Sequence, residues 1–172
     1  MRILFATLLL IAPLAAHAHK VISVGDGDSI TLQVGPNRLK LRLAGIDAPE
    51  MKQAFGLQAR RSLHQLCFGK EVQYDAQAID RFNRTIAVVR CDGIDASRVQ
   101  LERGMAWAFR QKDHNLKALE TAARNNKIGL WSDPHAIAPW RFRYAGSQDA
   151  TCHVGPRGGR YRWVNGRKMY GC

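Results

Sequence analysis

Residues 42–50 of the chain have the sequence RLAGIDAPE, and the fold is best predicted outward from this stretch. Its first half completes a predicted strand over residues 38–46, in which Leu39, Leu41 and Leu43 alternate with polar or charged residues. An earlier strand is predicted over residues 20–34, and the turn sequence VGPN at 34–37 joins the two strands as a hairpin. The second half of the stretch presents two carboxylates, Asp47 and Glu50, directly behind the second strand.

Later parts of the chain alternate between predicted helices and strands. Helices are expected over residues 52–68, 96–103 and 116–127, and strands near 70–76 and over 85–90. Gly69, Gly104 and Gly129 follow the three helices as expected for C-terminal caps. Short strands come first and helices are interleaved later, which favours a small barrel with packed helices over a doubly wound sheet.

The first eighteen residues have the pattern of a secretory leader. Arg2 supplies the positive charge, residues 3–16 are an apolar run, and the small residues of Ala16-His17-Ala18 form a cleavage site. That run is too short to span a bilayer comfortably, and no other stretch approaches the required length. The sequence therefore predicts cleavage after Ala18 and a secreted or periplasmic protein with no membrane span.

The charge balance points to a polyanionic partner. The chain has 26 lysines and arginines against 14 acidic residues, a net charge of +12, and loss of the leader with Arg2 leaves +11. Such a charge on a small domain favours nucleic acid. Loose binding of a cationic protein to acidic cell surfaces is the alternative, and composition does not separate the two.

Four cysteines suit an oxidising compartment. Three pairings are possible, and the spacing favours Cys67 with Cys91 in the core and Cys152 with Cys172 near the end of the chain. Two buried free thiols are the alternative for the first pair. A zinc site would require close pairs such as C-x-x-C, which the sequence lacks.

Three short segments carry the candidate chemistry: VGDGDS at 24–29, RLAGIDAPE at 42–50 and DRFNR at 80–84. Asp28, Asp47 and Glu50 offer hard carboxylate oxygens, which suit Ca²⁺ or Mg²⁺ better than zinc. Arg42 and Arg84 could grip one phosphate and stabilise the charge of a phosphodiester transition state. Each segment alone could be an ordinary turn or solvated loop, but their co-occurrence favours a site.

Together these segments resemble the staphylococcal (micrococcal) nuclease family. The resemblance extends from about residue 20 to residue 143 and includes LERGMA at 101–106, GLW at 129–131 and PWR at 139–141. It implies an α+β fold, namely a five-stranded OB-fold barrel with three packed helices. It also implies an endonuclease that acts on DNA and RNA.

The resemblance implies a role for each site residue. It assigns Ca²⁺ binding to the side chains of Asp28 and Asp47 and the backbone carbonyl of Ala48. Glu50 would activate or position the attacking water, and Arg42 and Arg84 would hold the phosphate. Breaking the bond to the 5′ oxygen would then leave 3′-phosphate products. The alternative is an OB module that binds nucleic acid without cutting it, as in relatives that have lost these side chains.

Two other features accompany the resemblance. Asn83 stands where the family usually has glycine, and asparagine tolerates a positive φ. Phe109 and Trp107 are the candidates for stacking on a nucleic-acid base, but a core position is an equally good interpretation of both residues.

The last part of the chain reads as a separate basic module. The linker sequence AGSQ at 145–148 predicts a catalytic domain over residues 19–145 and a module over 146–172. Asn165-Gly166 between two aromatic-rich segments predicts a two-stranded hairpin stapled by the Cys152–Cys172 bridge. The residues expected to contact nucleic acid are Arg157, Arg160, Arg162 and Lys168. An anionic envelope polymer is the alternative ligand, and nothing in the sequence indicates more than a monomer.

Overall fold

The computed structural model describes residues 19–110, 113–147, 152–164 and 167–171. The predicted leader over residues 1–18, the Asn165-Gly166 turn and Cys172 lie outside these ranges. Within the described residues, no helix is both long enough and apolar enough to cross a lipid bilayer.

Five antiparallel and parallel strand pairings build a closed barrel. The strands before the basic module are β1 (His19–Val24), β2 (Ser29–Val34), β3 (Asn37–Leu43), β4 (Ile46–Asp47), β5 (Glu71–Ile79), β6 (Thr85–Cys91), β7 (Ile94–Asp95) and β8 (Trp107–Ala108). The barrel strands follow the order β3-β2-β1-β5-β6, and parallel pairing of residues 41–43 with 85–87 joins β3 to β6. This closure confirms the predicted five-stranded α+β barrel.

The single strand predicted over residues 20–34 is in fact two strands separated by a tight turn. Within the turn, Asp26 accepts hydrogen bonds from the backbone N–H of Asp28 (3.1 Å) and from the Ser29 hydroxyl (2.6 Å). A Cβ at Gly27 would lie 2.6 Å from the Cβ atoms of both Ala48 and Ala59, so only glycine fits there. Local polar residues therefore end β1 and set the direction in which β2 starts.

The described residues form four α-helices around the barrel, one more than predicted. They are α1 (Gly56–Cys67), α2 (Ala96–Glu102), α3 (His114–Asn125) and α4 (Pro139–Ser147), with a 3₁₀ turn over Gly129–Ser132. Asp95 caps the N-terminus of α2, and its carboxylate accepts a hydrogen bond from the Arg98 N–H. Asp113 caps α3 in the same way and accepts from the Asn115 N–H. The linker predicted from residue 145 is partly helical, because α4 continues through Ser147.

The core lies inside the barrel and beneath α1 and α2. Its most deeply buried side chains are Leu32, Leu41, Leu43, Leu63, Val89 and Leu101, and each such burial stabilises the fold by about 2 kcal/mol. The buried Gln100 amide donates to the carbonyls of Gly27 (2.7 Å) and Ala59 (3.1 Å). Thus α2 ties the turn before Asp28 to α1.

The predicted Cys67–Cys91 disulfide is confirmed. The two sulfurs are 2.02 Å apart and the bridge joins the last residue of α1 to the last residue of β6. Cys152 is also disulfide-bonded, and its predicted partner lies outside the described residues.

The basic module has three strands instead of the predicted two. The expected hairpin pairs β10 (Arg160–Val164) with β11 (Arg167–Tyr170), placing Tyr161 opposite Tyr170. A short β9 (His153–Val154) pairs with the other edge of β10. A turn joins β9 to β10: the Gly158 N–H donates to the Gly155 carbonyl, and the Gly155 N–H donates to the Gly159 carbonyl.

Candidate active site

Two buried carboxylates lie side by side at one end of the barrel. Asp28 immediately precedes β2 and is 4% exposed, while Asp47 ends β4 and is 1% exposed. The Asp28 carboxylate accepts a hydrogen bond from the backbone N–H of Ala48 at 2.8 Å, and its carbonyl accepts from Leu43 N–H. These bonds join the segments 24–29 and 42–50, as their co-occurrence predicted.

Arg42 holds the two carboxylates together. Its Nη1 lies 2.9 Å from Asp28 Oδ2 and its Nη2 lies 2.8 Å from Asp47 Oδ1. Register explains the position, because β3 places Arg42 opposite Ser29 at the start of β2. The guanidinium is 14% exposed, so this pairing takes place in a partly desolvated site.

Arg84 is fixed by the hairpin between β5 and β6. Asp80 accepts from the backbone N–H groups of Phe82 (2.9 Å) and Arg84 (3.0 Å), and from Arg84 Nε at 2.8 Å. Asn83 has φ of 58°, as the sequence comparison with glycine anticipated. Parallel pairing of β3 with β6 sets Arg42 opposite Ile86, which brings this hairpin beside the carboxylates.

A third arginine was missed by the sequence analysis. Arg143 of α4 places Nη2 2.6 Å from Asp47 Oδ2 and Nη1 2.6 Å from Glu50 Oε1. The buried Gln53 explains how α4 reaches the site, because its side chain accepts from the Glu50 N–H and donates to the Ile137 carbonyl just before the helix. The one local signal was Pro139, a residue favoured at the first position of a helix.

Burial, hydrogen bonds and neighbouring charges shift the pKa values of three residues of the site. Burial, with a smaller contribution from the negative charge of Asp26, raises the pKa of Asp28 to about 8 against the opposing effect of Arg42. Burial also acts on Asp80, but hydrogen bonds from Arg84 and Phe82 outweigh it and lower the pKa of that carboxyl. Hydrogen bonds from its guanidinium to Asp47 and Glu50 raise the pKa of Arg143, which stays cationic.

These groups line one cleft of about 1070 Å³. Its basic members are Lys40, Arg42, Arg81, Arg84, Arg110 and Arg143, and its acidic members are Asp26, Asp28, Asp47, Glu50 and Asp80. Asp28 and Asp47 are buried, and the six basic side chains that line the cleft suit a polyanion. Among the described residues, no three histidine, cysteine or acidic side chains are arranged to hold a metal ion.

The two candidate stacking residues have different surroundings. Trp107 is 4% exposed and packs edge-on against Trp131 with ring centres 4.9 Å apart, so it is a core residue, the alternative that the sequence left open. Phe109 lines the cleft and stacks on Trp140 at 5.0 Å with the rings 23° apart. Phe109 therefore borders the cleft, with its ring packed against Trp140.

The basic module is not part of this cleft. Arg157, Arg160 and Lys168 are exposed, and Arg162 lies in β10. Lys168 lies over the ring of Tyr161, with its Nζ 4.4 Å from the ring centre. None of the described residues after 143 lines the cleft.

The chain is similar in sequence to known nucleases and related proteins. A family model described as staphylococcal nuclease homologue matches residues 40–133. A micrococcal nuclease of Shigella flexneri is 37% identical over 167 residues, which cover 88% of this chain and 95% of that protein. Protein ParB of Escherichia coli is 39% identical over 137 residues, covering 72% and 77% of the two chains. An uncharacterized endonuclease of Haemophilus influenzae is 39% identical over 128 residues, covering 72% and 71%.

Proposed function

This chain belongs to the staphylococcal nuclease family and is a nuclease, and we propose that it is an exported, Ca²⁺-dependent endonuclease. It would hydrolyse phosphodiester bonds of DNA and RNA and leave 3′-phosphate ends. The observation that carries the proposal is that Arg42 is ion-paired with both Asp28 and Asp47 on the floor of the cleft. A group for the phosphate and two groups for a cation are therefore adjacent.

Proteins of this family use metal ions, and the donor chemistry here fits a hard divalent cation. The carboxylates of Asp28 and Asp47 and the backbone carbonyl of Ala48 would hold Ca²⁺, which prefers oxygen ligands. Two carboxylates with a carbonyl explain why no cluster of three acidic, histidine or cysteine side chains is found among the described residues. When bound, the ion supplies positive charge beside the phosphate.

Three side chains would carry out the reaction. Glu50, 34% exposed at the rim of the carboxylate pair, would accept the proton of the attacking water. Water then adds to phosphorus, the bond to the 5′ oxygen breaks, and that oxygen takes up a proton from solvent to leave as a hydroxyl. Arg42 and Arg84 would bind the phosphate oxygens as negative charge increases on them, which is the main source of rate enhancement expected here.

Other parts of the chain would serve binding of the polymer. Phe109 would stack on a base, supported by Trp140, and the exposed residues Arg157, Arg160 and Lys168 would contact the phosphate backbone. Arg162 lies in β10, the strand that begins at Arg160. We propose a monomer in which the barrel with α4 is the catalytic part and the basic module an additional nucleic-acid contact.

Export rests on two features. The sequence predicts a leader cleaved after Ala18, and the buried Cys67–Cys91 disulfide is compatible with an oxidising periplasmic or extracellular location. N-terminal sequencing of protein recovered from the periplasm or medium tests this. A mature chain starting at His19 is expected, and recovery of uncleaved protein from the cytoplasm would contradict export.

The enzymatic proposal is tested with denatured DNA and with RNA, in Ca²⁺ or in chelator, followed by analysis of the product ends. We expect cleavage with Ca²⁺ and none with chelator, and the products should carry 3′-phosphate ends. Glu50→Gln should lose most turnover and keep its melting temperature, while Glu102→Gln, which alters an exposed carboxylate on α2, should cut normally. Binding without cleavage under every condition would instead support a non-catalytic OB module. Retention on cell-wall material free of nucleic acid would support envelope binding.

A further inference from the structure

Arg143 takes up the carboxylate oxygens that a divalent cation would need. Its two terminal nitrogens reach both oxygens of Asp47, at 2.6 and 3.2 Å, and one of them also lies 2.6 Å from Glu50 Oε1. A guanidinium that forks across two carboxylates is a strong, charge-assisted contact. Since this contact comes from α4, beyond the segment that the family model matches, the motifs at 24–50 and 80–84 give no indication of it.

The charges of the site explain why a cation is held there. Asp28, Asp47 and Glu50 bring three carboxyl groups together; Arg42 pairs with Asp28 and Asp47, and Glu50 is paired with Arg143. Arg84, the second arginine assigned to the phosphate, is paired with Asp80. Asp47 is 1% exposed, so without a cation its ionised carboxylate would be buried with only partial compensation, which is costly.

The contact is also placed to be reversible. The Arg143 side chain is 44% exposed, whereas that of Arg42 is 14% exposed. Water can therefore solvate the released guanidinium without movement of the barrel. Arg143 lines the same cleft as Arg42 and Arg84, so a released side chain remains where a phosphate of the substrate would lie.

From this geometry we propose that Arg143 is a third active-site arginine, which neutralises Asp47 and Glu50 before Ca²⁺ binds and passes to a substrate phosphate when the ion displaces it. The inference rests on the proposed function, because it requires that the ion and the nucleic acid bind at this cleft. Competition between two cations for the same oxygens is reciprocal, so removing the guanidinium must tighten ion binding. Displacement also leaves Glu50 free to act on water.

The test is calorimetric titration of the metal-free, full mature chain with Ca²⁺. Arg143→Gln removes the competing cation, and Arg141→Gln removes an exposed charge from the same helix as the matched control. Arg143→Gln should bind Ca²⁺ about tenfold more tightly than Arg141→Gln. Without the ion, its melting temperature should be the lower of the two, and saturating Ca²⁺ should remove the difference.

The second half of the proposal is read from kinetics at saturating Ca²⁺. Arg143→Gln should raise KM for single-stranded DNA about tenfold relative to Arg141→Gln, with a smaller change in kcat. Equal Ca²⁺ affinities of the two variants, or an unchanged KM, would overturn the role of Arg143 while leaving the nuclease intact. Wild-type protein that takes up no Ca²⁺, or takes it up equally well after Asp47→Asn, would instead overturn the proposed metal site itself.

Discussion

The Cys67–Cys91 bridge should contribute a large share of the stability of the barrel. It joins residues 24 positions apart, at the ends of α1 and β6, and both cysteines are at most 1% exposed. For a closed loop of this size the chain-entropy relation gives about 3.5 kcal/mol of stabilisation. In a domain of this length that free energy corresponds to a melting temperature about 10 °C higher.

The perturbation is the double variant Cys67→Ala, Cys91→Ala, which removes this bridge and leaves the other cysteines in place. Loss of the two buried sulfurs adds a packing cost of about 1 kcal/mol each, so the expected fall in melting temperature is about 15 °C. Neither cysteine lines the cleft, and turnover well below the new melting temperature should therefore be unchanged.

Thermal unfolding in chelator, followed by circular dichroism, measures the effect. The double variant Cys152→Ala, Cys172→Ala is the control, because it alters the basic module and should leave unfolding of the barrel in place. A fall of less than about 3 °C in the Cys67/Cys91 variant would refute the loop-entropy reasoning. A comparable fall in the melting temperature of the control would show that the effect is not specific to the core bridge.

Three further changes probe the chemistry of the cleft. Arg84→Lys keeps the charge but loses the fork that donates to Asp80, so kcat on single-stranded DNA should fall about 100-fold; a loss below threefold would make Arg84 a solvated loop residue. Ca²⁺ affinity should rise by up to about tenfold per pH unit and level off above pH 8, because burial raises the pKa of Asp28 to about 8 and its proton must leave before the ion binds. Calorimetry between pH 6 and 9 measures this rise, and a flat profile would contradict it. Trp140→Ala removes the ring stacked on Phe109, a contact of about 1 kcal/mol, so KM for DNA should rise severalfold. An unchanged KM would show that the two rings do not contribute to binding of a base.

Local signals in the sequence predicted a small barrel with packed helices, whereas its five strands were implied by the family resemblance. Alternation of leucines identifies β3, and turn residues mark its junctions, since both depend only on neighbours in the chain. The motifs lie where strands begin or end, and the register between the strands brings these ends together. Pairing of Arg42 with Ser29 in β2 and with Ile86 in β6 sets one arginine between the two other segments.

What the sequence did not predict depends on contacts between distant segments. Helix α4 has the sequence PWRFRYAGS, which lacks a clear apolar stripe at helical spacing, and its site contact joins Arg143 to Asp47 across 96 positions. The start of α1 was placed four residues early, because residues 52–55 are needed for a turn in which Gln53 bonds to Glu50. Helix α3 starts two residues earlier than predicted because Asp113 caps it. Aspartate is a favoured cap, but the prediction used only the spacing of apolar residues.

The arrangement of the site and the position of the bridge are linked through stability. Buried carboxylates paired with arginines are at best neutral for folding compared with apolar side chains of the same size. A nuclease that must hold such a cluster open for a cation therefore needs stabilisation elsewhere. Ligand binding to the folded state supplies about 2.7 kcal/mol at a hundredfold excess over Kd, but only where the ion is abundant. The bridge acts at every ion concentration and contributes a similar free energy, about 3.5 kcal/mol. It thus stabilises the barrel in the metal-free state, in which Arg42 and Arg143 pair with the carboxyl groups of the site.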